Sequence, residues 1–303
     1  MQIIAEPDFI VVIRSANERT KESCKYIVSN ELPDDFIHVI ELTPFEEAVR
    51  ECYRIGIESN KKWMVTIDAD VLPILGFLSK VKQYTERVSK NVIMFNLIIH
   101  DKLLLKYRSG GIKVYRTKYL TEALGYIPAN GTTLRPEATT LKKMVDLGFK
   151  KKNFPDVIGL HDYEQFFQDI YRKSFFHAAK HTKEIGELLM QWKELSENDA
   201  DYKVAIKGAV DGLLTSDGAK PDVRMFTEQS MNSIYSKLSL NEKRKIESKN
   251  VTQIVKNIIN DLEPFQKKYD LENIKTEVQT KGILKGTGWL IGSVLEDIGK
   301  KLK

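Results

Sequence analysis

Two aspartates one residue apart, Asp68 and Asp70, close the apolar run Trp63-Met64-Val65-Thr66-Ile67, and Pro73 follows soon after. The run is β-branched or bulky, which suits a fully buried strand. Such a strand rarely tolerates charge, so both carboxylates are expected at or just past its carboxyl end, where ligands bind in open α/β sheets. Two carboxylates could face one hard cation, and a cation held there would be well placed to neutralise a diphosphate. A strand-end Asp can also simply cap a turn. Two at this spacing, after a run this apolar, favour the cation site.

A second stretch has the same form. Val157-Ile158-Gly159-Leu160 leads into His161, Asp162, Tyr163 and Glu164, and a Phe- and Tyr-rich helix follows. A lone His in this place reads most simply as a helix-start residue. Asp162 and Glu164 read as acids favoured at a helix amino terminus. Either acid, or Glu137, could instead serve as a general base.

The surrounding elements are expected to bring these residues together. Phe9 to Ile13 is a first buried strand, and the polar loop from Arg14 to Thr20 leads into a helix that runs to about Asn30. His38 to Leu42 is a second strand. Thr43-Pro44-Phe45-Glu46 reads as a capping box that starts a helix to about Ser59, after which comes the strand that ends in the aspartates. This alternation argues for a parallel sheet with crossover helices. A helix from about Leu75 to Ser89, a buried strand from Asn91 to Ile99 and a short strand over Ile112 to Tyr115 follow. Gly110-Gly111 before that last strand reads as a turn, or as a place where backbone approaches a ligand. Tyr126 to Arg135 is irregular, Pro136-Glu137 opens a helix to near Gly148, and Lys150-Lys151-Lys152 reads as a solvated turn.

Asp68-Ala69-Asp70, placed after a first strand and its polar loop, resembles the DxD motif of GT-A fold glycosyltransferases, family 2-like. The resemblance covers roughly the first 175 residues. It implies a GT-A catalytic domain over 1–175, with Asp70 at a divalent cation (Mn²⁺ or Mg²⁺), Asp68 at that metal or at the ribose, and a nucleotide-diphosphate sugar as donor. The first loop would contact the nucleotide through Ser15, Asn17 and Glu18, with Arg14 or Arg19 near the phosphates, and Gly110-Gly111 would border the donor sugar. In kind and order, His161 matches the late third metal ligand of such enzymes; imidazole with carboxylates suits Mn²⁺. The acceptor would be a glycan or a lipid-linked sugar in surface polysaccharide assembly.

Beyond that region the pattern is helical, over Phe166 to Glu197, Tyr202 to Leu214, Phe226 to Leu238 and Val251 to Leu262, giving a helical region over 176–303. Three readings stay open for it: binding acceptor, forming a homo-oligomer or covering the sheet. His177 and His181 share a helix face and read as surface or packing residues. Over 282–303, Leu284, Ile291, Leu295, Ile298 and Leu302 share another face, near Trp289 and several lysines. Docking on the protein's own core is the simpler reading, and peripheral contact with an acidic membrane is the other.

The chain of 303 residues is 42 % hydrophobic and 29 % charged with net charge +5, ordinary values for a soluble globular protein. Its Lys and Arg are spread along the chain, which argues against a nucleic-acid partner. Cys24 and Cys52 each fall on an apolar helical stripe, as small core residues in a reducing compartment. No signal-peptide pattern and no run approaching roughly 20 apolar residues is evident, so the expected location is cytoplasmic. Two rival functions share this fold class. A nucleotidyltransferase usually carries a glycine-rich loop after the first strand, but the loop here is Arg14-Ser15-Ala16-Asn17-Glu18, without glycine. A non-catalytic scaffold need not keep both aspartates.

Overall fold

The computed structural model describes residues 4, 7–133, 135–182, 185–215, 226 and 228–262. The 282–303 segment lies outside them. The described chain forms two compact units. One comprises residues up to Ile170 together with Ser239–Thr252. The other takes Tyr171–Leu238 and, of the described residues, 253–262.

The first unit is an α/β sandwich around a seven-stranded sheet. Its strands are β1 (Phe9–Arg14), β2 (Ile37–Ile40), β3 (Trp63–Asp68), β4 (Val71–Pro73), β5 (Val92–Asp101), β6 (Lys106–Arg116) and β7 (Lys150–His161). They lie in the order β2-β1-β3-β6-β5-β7-β4. β1, β2 and β3 run parallel, as do β5 and β7, while β6 and β4 run antiparallel to their neighbours. The expected architecture, a mostly parallel sheet with flanking helices followed by a helical carboxyl-terminal region, is the one the chain adopts.

Every residue of β1 is buried, because alternate side chains enter two separate cores. On one face Phe9, Val11, Ile13, Val65 and Ile67 pack with Cys24 and Val28 of α1 (Lys21–Ser29) and with Phe77, Leu78 and Val81 of α3 (Phe77–Thr85). On the other, Ile10, Val12 and Met64 meet Val49, Cys52 and Tyr53 of α2 (Phe45–Glu58). Leu120 and Ala123 of α4 (Leu120–Leu124) and Leu141 and Met144 of α5 (Pro136–Asp146) complete that core. Both cysteines are buried thiols, and burial pushes Cys52 up to about 12.

Four local expectations are corrected. No capping box forms at α2: Pro44 is the cap residue and no side chain bonds there. Glu46 is drawn away to accept the Gly131 N–H at 2.8 Å, a tertiary partner that outcompetes the local one. Gly110 and Gly111 are not a turn between strands but lie inside β6, with φ of 137° and 70°. They sit opposite a register shift between Asn96 and Ile98, so their left-handed backbone absorbs a bulge. A Cβ on Gly111 would come within 2.6 Å of Val71 Cγ2, which leaves only glycine to fit. Lys150-Lys151-Lys152 is not a turn but the exposed start of β7, a lysine-rich stretch of strand that resists pairing with another chain. Finally, the helix expected over Phe166 to Glu197 is two, α6 (Phe167–Lys180) and α7 (Ile185–Leu195), parted after His181-Thr182, both weaker helix formers than their neighbours.

Glu31 holds α3 in place. Its carboxylate accepts the Gly76 N–H at 2.7 Å and the Leu78 N–H at 3.1 Å, satisfying donors that a helix start leaves open. Glu31→Ala should therefore cost about 1–2 kcal/mol in urea unfolding, the usual scale for losing a helix cap. A change below about 0.3 kcal/mol would mean water replaces the carboxylate without loss.

The second unit packs α7 against α8 (Ala200–Leu214) and also contains α9 (Glu228–Leu238), and residues 251–262 are helical. Asp199 caps α8 by accepting the Asp201 N–H at 2.8 Å. Gly208 lets α8 approach α6 closely, since a Cβ there would lie 2.5 Å from the Tyr171 carbonyl oxygen. No described helix is long and apolar enough to cross a membrane.

Candidate metal centre at the carboxyl ends of the strands

Three strand ends converge on His161. β4 pairs with β7 so that Val71 lies opposite His161, which sets Asp70 across from Asp162; the Asp162 N–H donates to the Asp70 carbonyl at 3.1 Å. β5 runs parallel to β7 with Asp101 beside His161, and the Lys102 N–H donates to the His161 carbonyl at 3.0 Å. The turn that carries Asp70 is itself pinned. The Ala69 N–H bonds the Arg14 carbonyl at 2.8 Å, and the Thr20 hydroxyl donates to the Ala69 carbonyl at 2.6 Å. The Gln165 amide in turn donates to the Thr20 hydroxyl at 2.9 Å.

This backbone brings Asp70, His161 and Asp162 into one cluster, with a ligand atom of each within 4.8 Å of the others. His161 Nε2 is 3.4 Å from Asp70 Oδ2, and its Nδ1 is 3.0 Å from both Asp101 Oδ2 and Asp162 Oδ2. One imidazole and two carboxylates form a donor set that fits Mn²⁺ or a similar divalent ion. Burial alone would lower the His161 pKa, but the charges of Asp162 and Asp70 and the hydrogen bonds to Asp101 and Asp162 hold it well above its ordinary value. Without a cation, the imidazolium supplies the positive charge these carboxylates require.

Asp68 lies outside that cluster. As the last residue of β3 it is in register with Arg14 and turns to the α2–α5 face, where Arg14 Nε donates to its Oδ1 at 2.9 Å. Arg14 also reaches Glu137 Oε1 at 2.9 Å, and its guanidinium lies over the Phe45 ring, 5.0 Å from the centroid. Glu137 further takes the Lys113 ammonium and the Tyr115 hydroxyl. Burial would raise the Glu137 carboxyl; the Arg14 and Lys113 charges, with hydrogen bonds from Lys113 and Tyr115, outweigh it and hold the pKa at about 2. A carboxylate held so low and only 5 % exposed is a weak proton acceptor.

The loop after β1 is folded on itself. Glu18 accepts the Ser15 hydroxyl and the Ala16 N–H, both at 2.8 Å, and the Ser15 oxygen accepts the Asn17 N–H at 2.8 Å, with Asn17 left-handed at φ 70°. Burial and then the nearby Asp70 charge raise the Glu18 pKa, which places this carboxyl within electrostatic reach of the cluster. Arg19 ties the loop to the rest of the unit, donating to Glu164 Oε2 at 2.6 Å and to the Arg244 carbonyl at 2.6 Å. Asp162 and Glu164 precede α6 in a turn with φ of 62° and 58°, rather than in its first turn. Glu242 takes the expected capping role, accepting the Phe167 and Gln168 N–H groups at 2.8 and 3.1 Å.

Two residues that the sequence reading passed over complete the site, Asp101 and Arg108. Asp101 is 1 % exposed. Arg108 Nε donates to its Oδ2 at 2.7 Å, and Arg108 Nη2 lies 3.2 Å from His161 Nδ1. The signal was present: Leu97-Ile98-Ile99-His100-Asp101 is another apolar run that ends in charge, as β3 does at Asp68.

No protein-family model matches the chain, and no curated protein matches it in sequence. Among solved structures, similarity is found to a mannosyltransferase of Pyrobaculum calidifontis in complex with GDP-Man and Mn²⁺. It is 13 % identical, covering 78 % of this chain and 83 % of that one, with a TM-score of 0.40. A glycosyltransferase involved in glycosylation of the major capsid of PBCV-1 is 13 % identical over 52 % of this chain and 94 % of its own, with a TM-score of 0.36. A 4-diphosphocytidyl-2C-methyl-D-erythritol synthase of Anaerococcus prevotii is 12 % identical over 48 % and 88 %, with a TM-score of 0.37.

Proposed function

We propose that this chain is a metal-dependent glycosyltransferase that takes a sugar from a nucleotide-diphosphate donor and passes it to a glycan or lipid-linked acceptor. The observation that carries the reading is the convergence of Asp70, His161 and Asp162, from opposite strand ends, at the carboxyl edge of a mostly parallel sheet. A divalent cation held there supplies the charge that stabilises a departing diphosphate. The chain's own residues supply the rest. Asp70 and Asp162 approach from β4 and from the turn after β7, and His161 stands between them. Asp68, whose carboxylate Arg14 holds, would take the ribose, and the self-bonded loop of Ser15, Asn17 and Glu18 would line the nucleotide. Gly110-Gly111 borders the donor sugar. Of the three acids proposed as base, Asp162 is committed to the metal, and Glu137 is held as a carboxylate by Arg14 and Lys113. That leaves Glu164, more exposed than Glu137 and paired with Arg19 alone among the described residues, as the base for a transfer that inverts the sugar.

The decisive experiment screens nucleotide sugars with Mn²⁺, reading thermal shift and release of nucleoside diphosphate. Release that depends on a donor sugar and stops in EDTA supports the reading; equal release in EDTA overturns it. His161→Ala should raise the Mn²⁺ concentration for half activity roughly tenfold or more, the scale for losing support at a metal site. An unchanged metal requirement would return His161 to a packing role.

A further inference from the structure

We infer that Asp101, anchored by Arg108, is a positioning residue that fixes the tautomer and ring orientation of His161, so that Nδ1–H points at Asp101 and Nε2 faces Asp70. The inference rests on the metal-centre reading above. Asp101 has little freedom to do anything else. Its Oδ1 accepts the Leu104 N–H at 2.8 Å, and its Oδ2 takes Arg108 Nε at 2.7 Å and lies 3.0 Å from His161 Nδ1. The parallel register of β5 and β7 sets the two residues side by side, and the Lys102 N–H bond to the His161 carbonyl keeps them so.

Asp162 also approaches Nδ1 at 3.0 Å, but a single Nδ1–H serves one acceptor well. When Asp162 turns to a cation, Asp101 is the acceptor that stays, because its other two bonds come from Leu104 and Arg108 and do not depend on the ion. A histidine that binds metal through one nitrogen commonly gives its other N–H to a carboxylate, which raises its basicity and stops the ring rotating.

The test measures Mn²⁺ binding to the full chain by electron paramagnetic resonance, for the unmodified protein, Asp101→Asn, Arg108→Gln and Asp70→Asn. Asn keeps the size of Asp101 but turns one of its two acceptors into a donor, opposed either to the Leu104 N–H or to both Arg108 Nε and His161 Nδ1–H. Mn²⁺ affinity should fall about 10- to 100-fold in Asp101→Asn, and in the same direction in Arg108→Gln, whose side chain is partly exposed and whose loss the fold tolerates more easily. With Zn²⁺ as a diamagnetic probe, long-range ¹H–¹⁵N spectra should show a single Nδ1–H tautomer for His161 in the unmodified protein and a mixture in Asp101→Asn. Equal Mn²⁺ affinity in the unmodified protein and both variants, with Asp70→Asn impaired, would overturn the positioning role alone. No Mn²⁺ binding by the unmodified protein would overturn the metal centre and this inference with it. Should Asp101→Asn fail to fold, Arg108→Gln and its His161 spectrum decide the matter.

Discussion

Asp70→Asn should reduce turnover by at least about 100-fold while the chain stays folded. The turn that carries Asp70 is held by backbone groups, through the Ala69 N–H to Arg14, the Thr20 hydroxyl to Ala69 and the Asp162 N–H to the Asp70 carbonyl. None of these bonds involves the Asp70 carboxylate, so the amide enters the same fold. What changes is charge. Asp70 faces His161 and Asp162, and removing its negative charge weakens cation binding directly, by more than the 10- to 100-fold that follows loss of a supporting residue. The measurement pairs nucleotide release under saturating donor with a urea unfolding midpoint. A variant that keeps more than a tenth of normal turnover would remove Asp70 from the metal site. A collapse in the midpoint would mean the carboxylate holds the fold rather than the ion.

The sheet was legible in the sequence because its strands obey one rule. Phe9 to Ile13 and Trp63 to Ile67 are buried on both faces, so each appears as an almost unbroken apolar run with charge at its end, and Asn91 to Ile99 keeps that form apart from Asn91 and Asn96. The same rule exposed Asp68, Asp70 and His161. It should have exposed Asp101, but the His100-Asp101 ending carries no repeated carboxylate and stood out less. What stayed hidden depends on partners far along the chain. Gly110 and Gly111 look like a turn because their left-handed backbone is shared by turns and bulges, and only the register of β5 against β6 tells them apart. Lys150 to Lys152 look like a loop because a strand with a free edge has no need of an apolar face there. Glu46 looks like a capping residue until Gly131, from a loop 85 residues on, offers it an N–H.

The division of labour between Asp68 and Asp70 was half legible, since the sequence left Asp68 open to the metal or the ribose. One-residue spacing suggests two carboxylates on one ion. Yet β3 ends at Asp68, whose side chain falls on the Arg14 and Glu137 side of the sheet, while Asp70 has already turned toward β7. The pair therefore joins two sites: a cluster that could hold a cation on one side and a buried ion network on the other.

That network carries the largest expected effect on stability. Glu137→Ala should lower the unfolding free energy by about 3–5 kcal/mol, because it strips a buried carboxylate from between Arg14 and Lys113 and leaves their charges poorly compensated. Asp68 still partners Arg14, but Lys113 and Tyr115 lose the carboxylate they donate to. The effect depends on pH in a fixed direction. Glu137 is held at about 2 in the folded chain, below its ordinary value of 4.5, so its stabilisation is complete above about 4.5. It fades as pH falls from there toward about 2, where the folded carboxyl takes up its proton. Across that window the unmodified protein should lose stability more steeply than Glu137→Ala, and urea midpoints measured between pH 6 and about 3 would show the two curves converging. The same carboxylate was a candidate base, and Glu137→Gln separates the two roles. A base lost to Gln would depress kcat and leave the urea midpoint in place. A strut lost to Gln shifts the midpoint and the acid limb of the stability curve, because an amide cannot answer the charges of Arg14 and Lys113 together.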